Sequence, residues 1–222
     1  MSASHVREYR SPLAGPEKRL LVWIADRLPR WVTSDHLTLL GITSMLGAGL
    51  SFWAASRQPW MLGLVVVFLA LNWFGDSLDG TVARVRQQQR PRYGYYVDHV
   101  IDILGTLFLV GGLALSGFMS PLIALGLLVA YYMVSAEVFL ATHAHGVFRM
   151  AFMGFGPTEL RIVLAVGALF LLRSPWAHMG SLGTHLLFDV GGVVAIVGLG
   201  IALVSSALRN TVSLYRAETV TR

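Results

Sequence analysis

The sequence contains no cysteine and has few charged residues for its length. Without cysteine, neither a disulfide framework nor a thiolate metal site is possible, so any metal ion must be bound by oxygen or imidazole. Charged residues make up 13% of the 222 residues, whereas about 25% is typical of soluble domains. Residues 1–19 are polar and lack the apolar run of a cleavable signal peptide, so we expect this segment to be retained. The composition indicates a chain that lies in a lipid bilayer.

Long stretches without charge predict the membrane spans. About 20 apolar residues cross a hydrocarbon core, and uncharged stretches cover residues 37–56, 58–75, 103–136 and 190–208. The stretch at 103–136 is long enough for two spans, which we expect to meet at Ser120-Pro121. A weaker segment at 158–176 is bracketed by prolines, which act as helix breakers. The sequence therefore predicts an all-α integral membrane protein with six transmembrane helices.

The distribution of basic residues predicts the orientation, because Lys and Arg accumulate on the cytoplasmic side of a membrane. With both termini inside, 15 of the 17 basic residues fall on cytoplasmic segments, and only Arg57 and Arg173 lie outside. An even number of spans is required to place both ends on one side. Since the basic residues are spread over several loops, we do not expect a nucleic-acid partner.

The segment before the first span is expected to form an N-terminal amphipathic interfacial helix. Four apolar residues between positions 17 and 31 share one helical face: Leu20, Leu21, Ile24 and Leu28. A solvated basic arm without lipid contact is the alternative. The expected organisation is a cytoplasmic arm with the interfacial helix (1–33), a six-helix domain (34–208) and a cytoplasmic tail (209–222).

Four aspartates lie in or beside the predicted spans, where a carboxylate near a helix centre costs roughly 3 kcal/mol. Asp76 and Asp79 are at the cytoplasmic end of the second span, and Asp98 and Asp102 are at the start of the third. Each pair shares one helix face, and the short connection predicts that the two helices are antiparallel neighbours, so the four carboxylates should converge. Such charges would repel one another without cations. Oxygen ligands suit magnesium, manganese or calcium.

Neutralisation by nearby arginines is the alternative to a metal site. Four arginines lie between the two pairs of aspartates in the sequence: Arg84, Arg86, Arg90 and Arg92. Against this interpretation, Gly80 and Ala83 leave the helix face beside the carboxylates bare, so a bulky ligand can approach the backbone. The pattern favours a ligand pocket.

Two segments carry a resemblance to a known family. They are DSLDGTVAR at 76–84 and GYYVDHVID at 94–102, and together they resemble the signature of the CDP-alcohol phosphotransferases. Nine residues separate Arg84 from Gly94, one more than is usual in the family. Residues 33–41 (TSDHLTLLG) resemble the family's approach to its first span, with Ser34-Asp35 in place of the usual Pro-Asn. Either of these side chains can cap a helix.

The resemblance implies an enzyme of phospholipid synthesis, in which an alcohol hydroxyl displaces CMP from a CDP-activated donor. It implies a homodimer with a cytoplasmic active site and two divalent cations, Mg²⁺ or Mn²⁺. The implied metal ligands are Asp76, Asp79, Asp98 and Asp102, with Asp102 also the general base. The residues implied to bind CDP are Asp79, Gly80, Ala83, Arg84 and Gly94.

Polar residues at the cytoplasmic ends of the fourth and fifth spans are candidates for an acceptor pocket: Glu137, His143, Glu159 and Arg161. Interfacial snorkelling and helix capping are the alternative for the last three. Glu137 falls inside a span, where an unpaired carboxylate is costly, so we expect it to face the cavity. His99 is better explained as a hydrogen-bonding residue than as a metal ligand.

Two directions of transfer remain open. CDP-diacylglycerol can donate a phosphatidyl group to a water-soluble alcohol, or a CDP-amino alcohol can donate to diacylglycerol. A short likeness to the ethanolamine and choline phosphotransferases favours the second direction; it comprises Thr142-His143, Gly146 and Gly156-Pro157-Thr158-Glu159. The basic loops favour a phosphorylated acceptor such as inositol phosphate, and hence the first.

Two other classes of protein also place acidic residues in membrane helices. An intramembrane prenyltransferase binds magnesium and a diphosphate, but it has more spans and lacks the Gly-Ala-Arg elements. A divalent-cation transporter is the non-enzymatic alternative, and it would be expected to show broken or inverted-repeat helices. We find no internal repeat in the sequence.

Overall fold

The computed structural model describes residues 14–145 and 157–218. In these ranges the chain forms seven α-helices, with a short antiparallel hairpin before the last of them. The helices are α1 (Ala14–Arg27), α2 (Ser34–Ala55), α3 (Met61–Val85), α4 (Pro91–Ser116), α5 (Pro121–His145), α6 (Pro157–Leu171) and α7 (Leu187–Ala217), and the strands are β1 (Trp176–His178) and β2 (Thr184–Leu186). Gly146 and Gly156, which contribute to the weaker family likeness, lie outside the described residues.

Five of the described helices are long and apolar enough to cross a membrane, namely α2, α3, α4, α5 and α7. The predicted multi-pass membrane protein is thereby confirmed. The stretch at 103–136 divides as predicted, because α4 ends at Ser116, followed by Gly117 with a left-handed φ of 78°, and α5 begins at Pro121. The predicted fifth span is α6, which has 15 residues. At 1.5 Å per residue it is about 22 Å long, shorter than a hydrocarbon core of about 30 Å.

The region around the last helix has features that the sequence did not predict. Helix α7 continues through Arg209 to Ala217, where a tail was expected. In the hairpin before it, Trp176 pairs with Leu186 and His178 pairs with Thr184. Strands of three residues are too short for an alternating pattern to be read from sequence.

Helix α2 packs against both α3 and α4. Glycines allow this close approach: a Cβ on Gly112 would lie 2.0 Å from the carbonyl oxygen of Gly49, and a Cβ on Gly75 would lie 2.5 Å from that of Leu37. Helices α3 and α4 make at most a few direct contacts with each other. The prediction that they are direct neighbours is therefore wrong. Close packing through small residues places α2 against both helices, and the short α3–α4 connection does not by itself determine which helices pack.

Aromatic and aliphatic side chains at the end of the bundle away from the aspartates form one buried cluster. Phe52 of α2 and Phe188 of α7 meet edge to face with ring centroids 5.7 Å apart, and Leu62 of α3 and Ala168 of α6 belong to the same cluster. Nearby, the Asp189 carboxylate accepts from the backbone N–H of Ser120 at 2.6 Å. These contacts fix the start of α7 beside the α4–α5 connection.

Helix α1 packs against α3 at the end that carries the aspartates. Leu21 and Ala25 are buried in a cluster with Leu78 and Val82. Leu20, predicted to share one helical face with Leu21, is instead 46% exposed. The helix ends at Arg27, earlier than predicted, because a proline two residues later disfavours helical backbone before it.

The connection from α1 to α2 is held by hydrogen bonds from Arg86 and by the N-cap of α2. Arg86, directly after α3, donates to the carbonyl oxygens of Leu28 at 3.0 Å and Pro29 at 3.1 Å. These bonds satisfy carbonyls at the end of α1 that lack a helical partner. Thr33 caps α2 through a capping box with His36, so the cap is neither Ser34 nor Asp35.

Candidate active site

Asp79 is the most buried of the four aspartates, with 7% of its surface exposed. It accepts a hydrogen bond from Thr38 Oγ1 of α2 at 2.8 Å, and another from the backbone N–H of Gly80. A hydrogen bond to a charged group contributes about 1.5–3 kcal/mol, which offsets part of the cost of burial. Asp76 and Asp98 are the like-charged neighbours of Asp79. Asp76 on α3 and Asp98 on α4 thus both lie within electrostatic range of Asp79.

Asp76 is paired with a cation from α6. Arg161 Nη2 lies 2.6 Å from Asp76 Oδ2, and Arg161 Nε donates to Asn72 Oδ1 at 2.7 Å. Asn72 in turn donates from Nδ2 to the carbonyl oxygen of Gly41 at 3.0 Å. A continuous chain of hydrogen bonds therefore links α2, α3 and α6 at the first aspartate of the motif.

Asp98 and Asp102 lie one helical turn apart on α4. Asp98 is half-buried, whereas Asp102 is exposed and is an electrostatic neighbour of Tyr131 on α5. An exposed carboxylate can be reached by an incoming hydroxyl, as a general base requires.

His99, between these aspartates in sequence, has a local role. Its Nδ1 lies 2.6 Å from the carbonyl oxygen of Tyr95. Its ring packs against Tyr95 and Phe139 at centroid distances of 4.2 and 4.9 Å. These contacts fit the predicted hydrogen-bonding residue and tie α4 to α5.

The aspartates fit a divalent cation by their chemistry. Over residues 14–145 and 157–218, no three Asp, Glu or His side chains lie close enough to one another to hold a metal ion. The donor set nevertheless consists of carboxylate oxygens, which hard cations such as magnesium and manganese prefer. The charges of Asp76 and Asp98 act on a buried Asp79, and this crowding favours the uptake of positive charge. Metal binding would require these side chains to turn toward a common point.

The residues implied to bind CDP lie along the same end of α3 and α4. Arg84 is exposed and donates from Nη2 to Thr81 Oγ1 at 3.0 Å. A Cβ on Gly80 would lie 3.3 Å from Arg84 Nη1, so the guanidinium lies over the bare glycine. Gly94 is in the first turn of α4, and a Cβ there would meet nothing within 4 Å. Packing within the described part of the chain therefore does not require glycine at position 94.

The four acceptor-pocket candidates have different surroundings. Arg161 contacts Asp76, and Glu159 is half-buried two residues before it on α6. Glu137 accepts from Asn210 Nδ2 of α7 at 2.7 Å, a partner that the sequence did not suggest. His143 is exposed near the end of α5. Of the four, only Arg161 has a hydrogen bond to a motif aspartate among the described contacts.

Two residues of the site were not predicted from sequence. Asn72 is the only amide side chain of α3 and lies four residues before Asp76, so it shares that helix face and could have been identified. Thr38 has no such signal, because threonine is common in membrane helices and its contact with Asp79 joins residues 41 positions apart.

Comparisons with known proteins agree with this geometry. The family model described as CDP-alcohol phosphatidyltransferase matches residues 31–205. Archaetidylinositol phosphate synthase from Pyrococcus horikoshii is 30% identical over 104 residues, which are 47% of this chain and 52% of that protein. The match therefore spans about half the length of that relative.

Two solved structures of Mycobacterium tuberculosis phosphatidylinositol phosphate synthase share the fold. The structure with CDP-DAG bound superposes with a TM-score of 0.63 at 22% identity, covering 86% of this chain and 94% of that one. The apo structure gives a TM-score of 0.57 at 21% identity, covering 88% and 94%. Neither the archaeal nor the mycobacterial relative is named as an ethanolamine or choline phosphotransferase, so these comparisons lend no support to that likeness.

Proposed function

The chain belongs to the CDP-alcohol phosphatidyltransferase family, and we propose that it transfers the phosphatidyl group of CDP-diacylglycerol to a hydroxyl of a phosphorylated polyol, with inositol phosphate the first to test. As a member of this family it is a membrane enzyme of phospholipid synthesis. CDP-DAG is bound in one structure of the same fold, and both named relatives are synthases of inositol phosphate lipids. The family match argues against an intramembrane prenyltransferase and a cation transporter.

The observation that supports a phosphorylated acceptor is the position of Arg161. Its side chain is 15% exposed and lies against Asp76, at the site where the reaction is proposed to occur. A guanidinium carries five N–H donors, and Nε and Nη2 donate to Asn72 and Asp76. The remaining donors suit a phosphate, which arginine binds as a planar fork. A neutral alcohol would not require this cation.

The proposed reaction is a displacement at phosphorus. The acceptor hydroxyl oxygen forms a bond to the phosphorus that carries diacylglycerol, the bond from that phosphorus to the bridging oxygen of CMP breaks, and the hydroxyl proton passes to the carboxylate of Asp102. Asp76, Asp79, Asp98 and Asp102 would hold two Mg²⁺ or Mn²⁺ ions, which when bound neutralise charge on the diphosphate and the leaving oxygen. Gly80, Ala83, Arg84 and Gly94 would line the CDP site, together with Asp79.

The proposed acceptor pocket also includes Glu137, His143 and Glu159. Glu159 is supported by its place on α6 near Arg161, and the other two lie in the half of α5 that ends at His145. The hydrogen bond from Asn210 gives Glu137 a structural role as well. The homodimer implied by the family resemblance stays a prediction.

We further propose that α6 is a sixth span, with both termini and the active site on the cytoplasmic side. Near its start, Arg161 contacts the aspartate end of α3. Near its end, Ala168 and Leu171 join the buried cluster that contains Leu62 at the start of α3. Helix α6 thus runs beside α3 between these two levels. Six spans also agree with the asymmetry of the basic residues.

The experiment that tests the proposed function is CMP release by the purified chain in detergent with Mg²⁺ or Mn²⁺. CDP-diacylglycerol would be supplied with inositol phosphate, inositol or glycerol phosphate, and CDP-choline or CDP-ethanolamine would be supplied with diacylglycerol. We expect release with CDP-diacylglycerol and inositol phosphate, lost in Asp102→Asn and kept in Asp26→Asn, an exposed aspartate of α1. Release only from a CDP-amino alcohol would overturn the proposed donor, and release with unphosphorylated inositol alone would overturn the proposed acceptor.

A further inference from the structure

Glu17 of α1 joins three helices at the aspartate end of the bundle. Its Oε1 accepts from Trp73 Nε1 of α3 at 2.7 Å and from Thr158 Oγ1 of α6 at 2.9 Å. Both bonds are partly buried. One carboxylate oxygen on the N-terminal helix therefore bridges two helices of the candidate active site.

The two donors are each three residues before a partner of the central ion pair. Trp73 precedes Asp76 on α3, and Thr158 precedes Arg161 on α6. Residues three apart are neighbours on a helix surface, so the Glu17 bridge lies beside the pair formed by Arg161 and Asp76. We therefore expect loss of the Glu17 bridge to change the geometry of the ion pair between Arg161 and Asp76.

Among the described residues, helix α6 has few other contacts at this end. It packs chiefly against α3 and much less against α7, and its buried residues, Ala168 and Leu171, lie toward its far end. The half that carries Arg161 has no residue that is fully buried. Polar links to α3 and α1 are therefore important for the placement of this half.

Helix α1 is well suited to act as a fixed support. Leu21 and Ala25 bury it against α3, and Arg86 holds the segment after it through the carbonyl oxygens of Leu28 and Pro29. Glu17 therefore lies one turn before the part of α1 that is anchored to α3.

We propose that Glu17 is a positioning residue for acceptor binding: it holds the start of α6 against α3 so that the Arg161 guanidinium faces Asp76. The inference rests on the proposed function, in which Arg161 binds the acceptor phosphate. Glu17 acts through Arg161 and does not touch the substrates. Loss of the bridge should therefore weaken use of the phosphorylated acceptor and spare binding of the CDP-linked donor.

The kinetic experiment compares Glu17→Ala, Glu17→Gln and Asp26→Ala in the full chain. Glutamine keeps a side-chain oxygen that can accept both bonds, and Asp26 is the other acidic residue of α1 and is exposed. For Glu17→Ala we expect the KM for inositol phosphate to rise about tenfold or more, since small misplacements of binding groups are costly. The KM for CDP-diacylglycerol should stay within about twofold. Glu17→Gln should restore most of the acceptor affinity, and Asp26→Ala should behave as the unmodified chain.

A second measurement reads the position of α6 without any activity. Because the sequence contains no cysteine, spin labels can be placed on cysteines introduced at the exposed Arg19 of α1 and Leu160 of α6, and their separation measured by pulsed electron resonance. We expect a narrow distance distribution with Glu17 and with Glu17→Gln, and a broad or shifted one with Glu17→Ala. An unchanged distribution in Glu17→Ala would overturn the inference, as would equal loss of donor and acceptor affinity.

The two measurements separate this inference from the proposed function. If the unmodified chain releases no CMP from CDP-diacylglycerol, the proposed function fails, and with it the role of Glu17 in acceptor binding. The distances would still decide whether Glu17 holds α6. If CMP is released but both KM values in Glu17→Ala equal those of the unmodified chain, the positioning role alone is refuted.

Discussion

Arg161 on α6 donates from Nη2 to Oδ2 of Asp76 on α3 at 2.6 Å. The first aspartate of the motif and the cation proposed to bind the acceptor are thus in direct contact. Asp76 is also a proposed metal ligand. A divalent cation at Asp76 must therefore share this carboxylate with Arg161 or displace the guanidinium from it.

Removal of the guanidinium should strengthen metal binding. In Arg161→Gln, Asp76 loses a competing positive charge, so we expect Mn²⁺ to bind about three- to tenfold more tightly, because like charges disfavour each other at one site. Calorimetry without substrates measures this affinity. The matched control is Arg90→Gln, which removes the other ion pair of the described residues, the exposed one to Asp35, and should leave the affinity unchanged. Weaker Mn²⁺ binding in Arg161→Gln would show that the arginine orders Asp76 for the metal.

A change of Arg161 to lysine should separate the two substrates. Lysine keeps the charge but loses the planar fork, and its single ammonium cannot reproduce the bonds from Nε and Nη2 to Asn72 and Asp76. We expect the KM for inositol phosphate to rise about tenfold and the KM for CDP-diacylglycerol to change by less than about twofold. Steady-state rates of CMP release at varied concentrations of each substrate check this. An equal rise in both values would place Arg161 in the donor site instead.

Substitution of Asp102 and substitution of Asp79 should have different effects on substrate binding. Asp102 is exposed, whereas Asp79 is buried and bonded to Thr38. We expect Asp102→Ala to abolish CMP release while keeping some binding of CDP and metal, and Asp79→Ala to lose both. Calorimetric titration of CDP with Mn²⁺ compares the two variants. Equal loss of nucleotide binding in both would contradict the separate roles.

The sequence was most informative where the signal is local. Spacings of three and four residues among the aspartates are properties of single helices, and the structure keeps each pair on one turn of α3 or α4. The break at Ser120-Pro121 was likewise predictable, because proline begins a helix readily and Gly117 ends the one before it.

Contacts between distant helices could not be predicted, for a physical reason. In a bilayer the lipid-facing residues are as apolar as the buried ones, so composition does not show which face packs. Leu113 is 3% exposed and Leu115 is 71% exposed on the same helix, although the two are chemically identical. For the same reason the position of α2 against both α3 and α4, and the bond from Thr38 to Asp79, followed only from the structure.

The bond from Thr38 to Asp79 should stabilise the site and the fold. Thr38→Val has nearly the same shape but leaves the buried carboxylate without this donor, a loss of about 1.5–3 kcal/mol for a hydrogen bond to a charged group. We expect a lower Tm in detergent and weaker binding of CDP. Thr38→Ser should retain both properties. The control is Thr43→Val, because Thr43 on the same helix donates only to carbonyl oxygens of its own helix in the described contacts, and an unchanged Tm in Thr38→Val would refute the role of the bond.

Close contact between α2 and α4 should make one glycine of α4 irreplaceable and leave its neighbour replaceable. A Cβ on Gly112 would lie 2.0 Å from the carbonyl oxygen of Gly49, whereas a Cβ on Gly111 would meet nothing within 4 Å. The nearest atom belongs to the backbone of α2 and cannot rotate away, so Gly112→Ala must push the helices apart. We expect the free energy of unfolding to fall by about 3 kcal/mol or more. Gly111→Ala should leave the free energy of unfolding unchanged or raise it by up to about 1 kcal/mol, because alanine has a higher helix propensity. Thermal unfolding of both variants in detergent measures the difference, and equal Tm values would mean that α2 and α4 are not packed through Gly49 and Gly112. Since Asp79 takes its hydrogen bond from α2 and Asp98 lies on α4, displacement of these helices should also lower CMP release in Gly112→Ala.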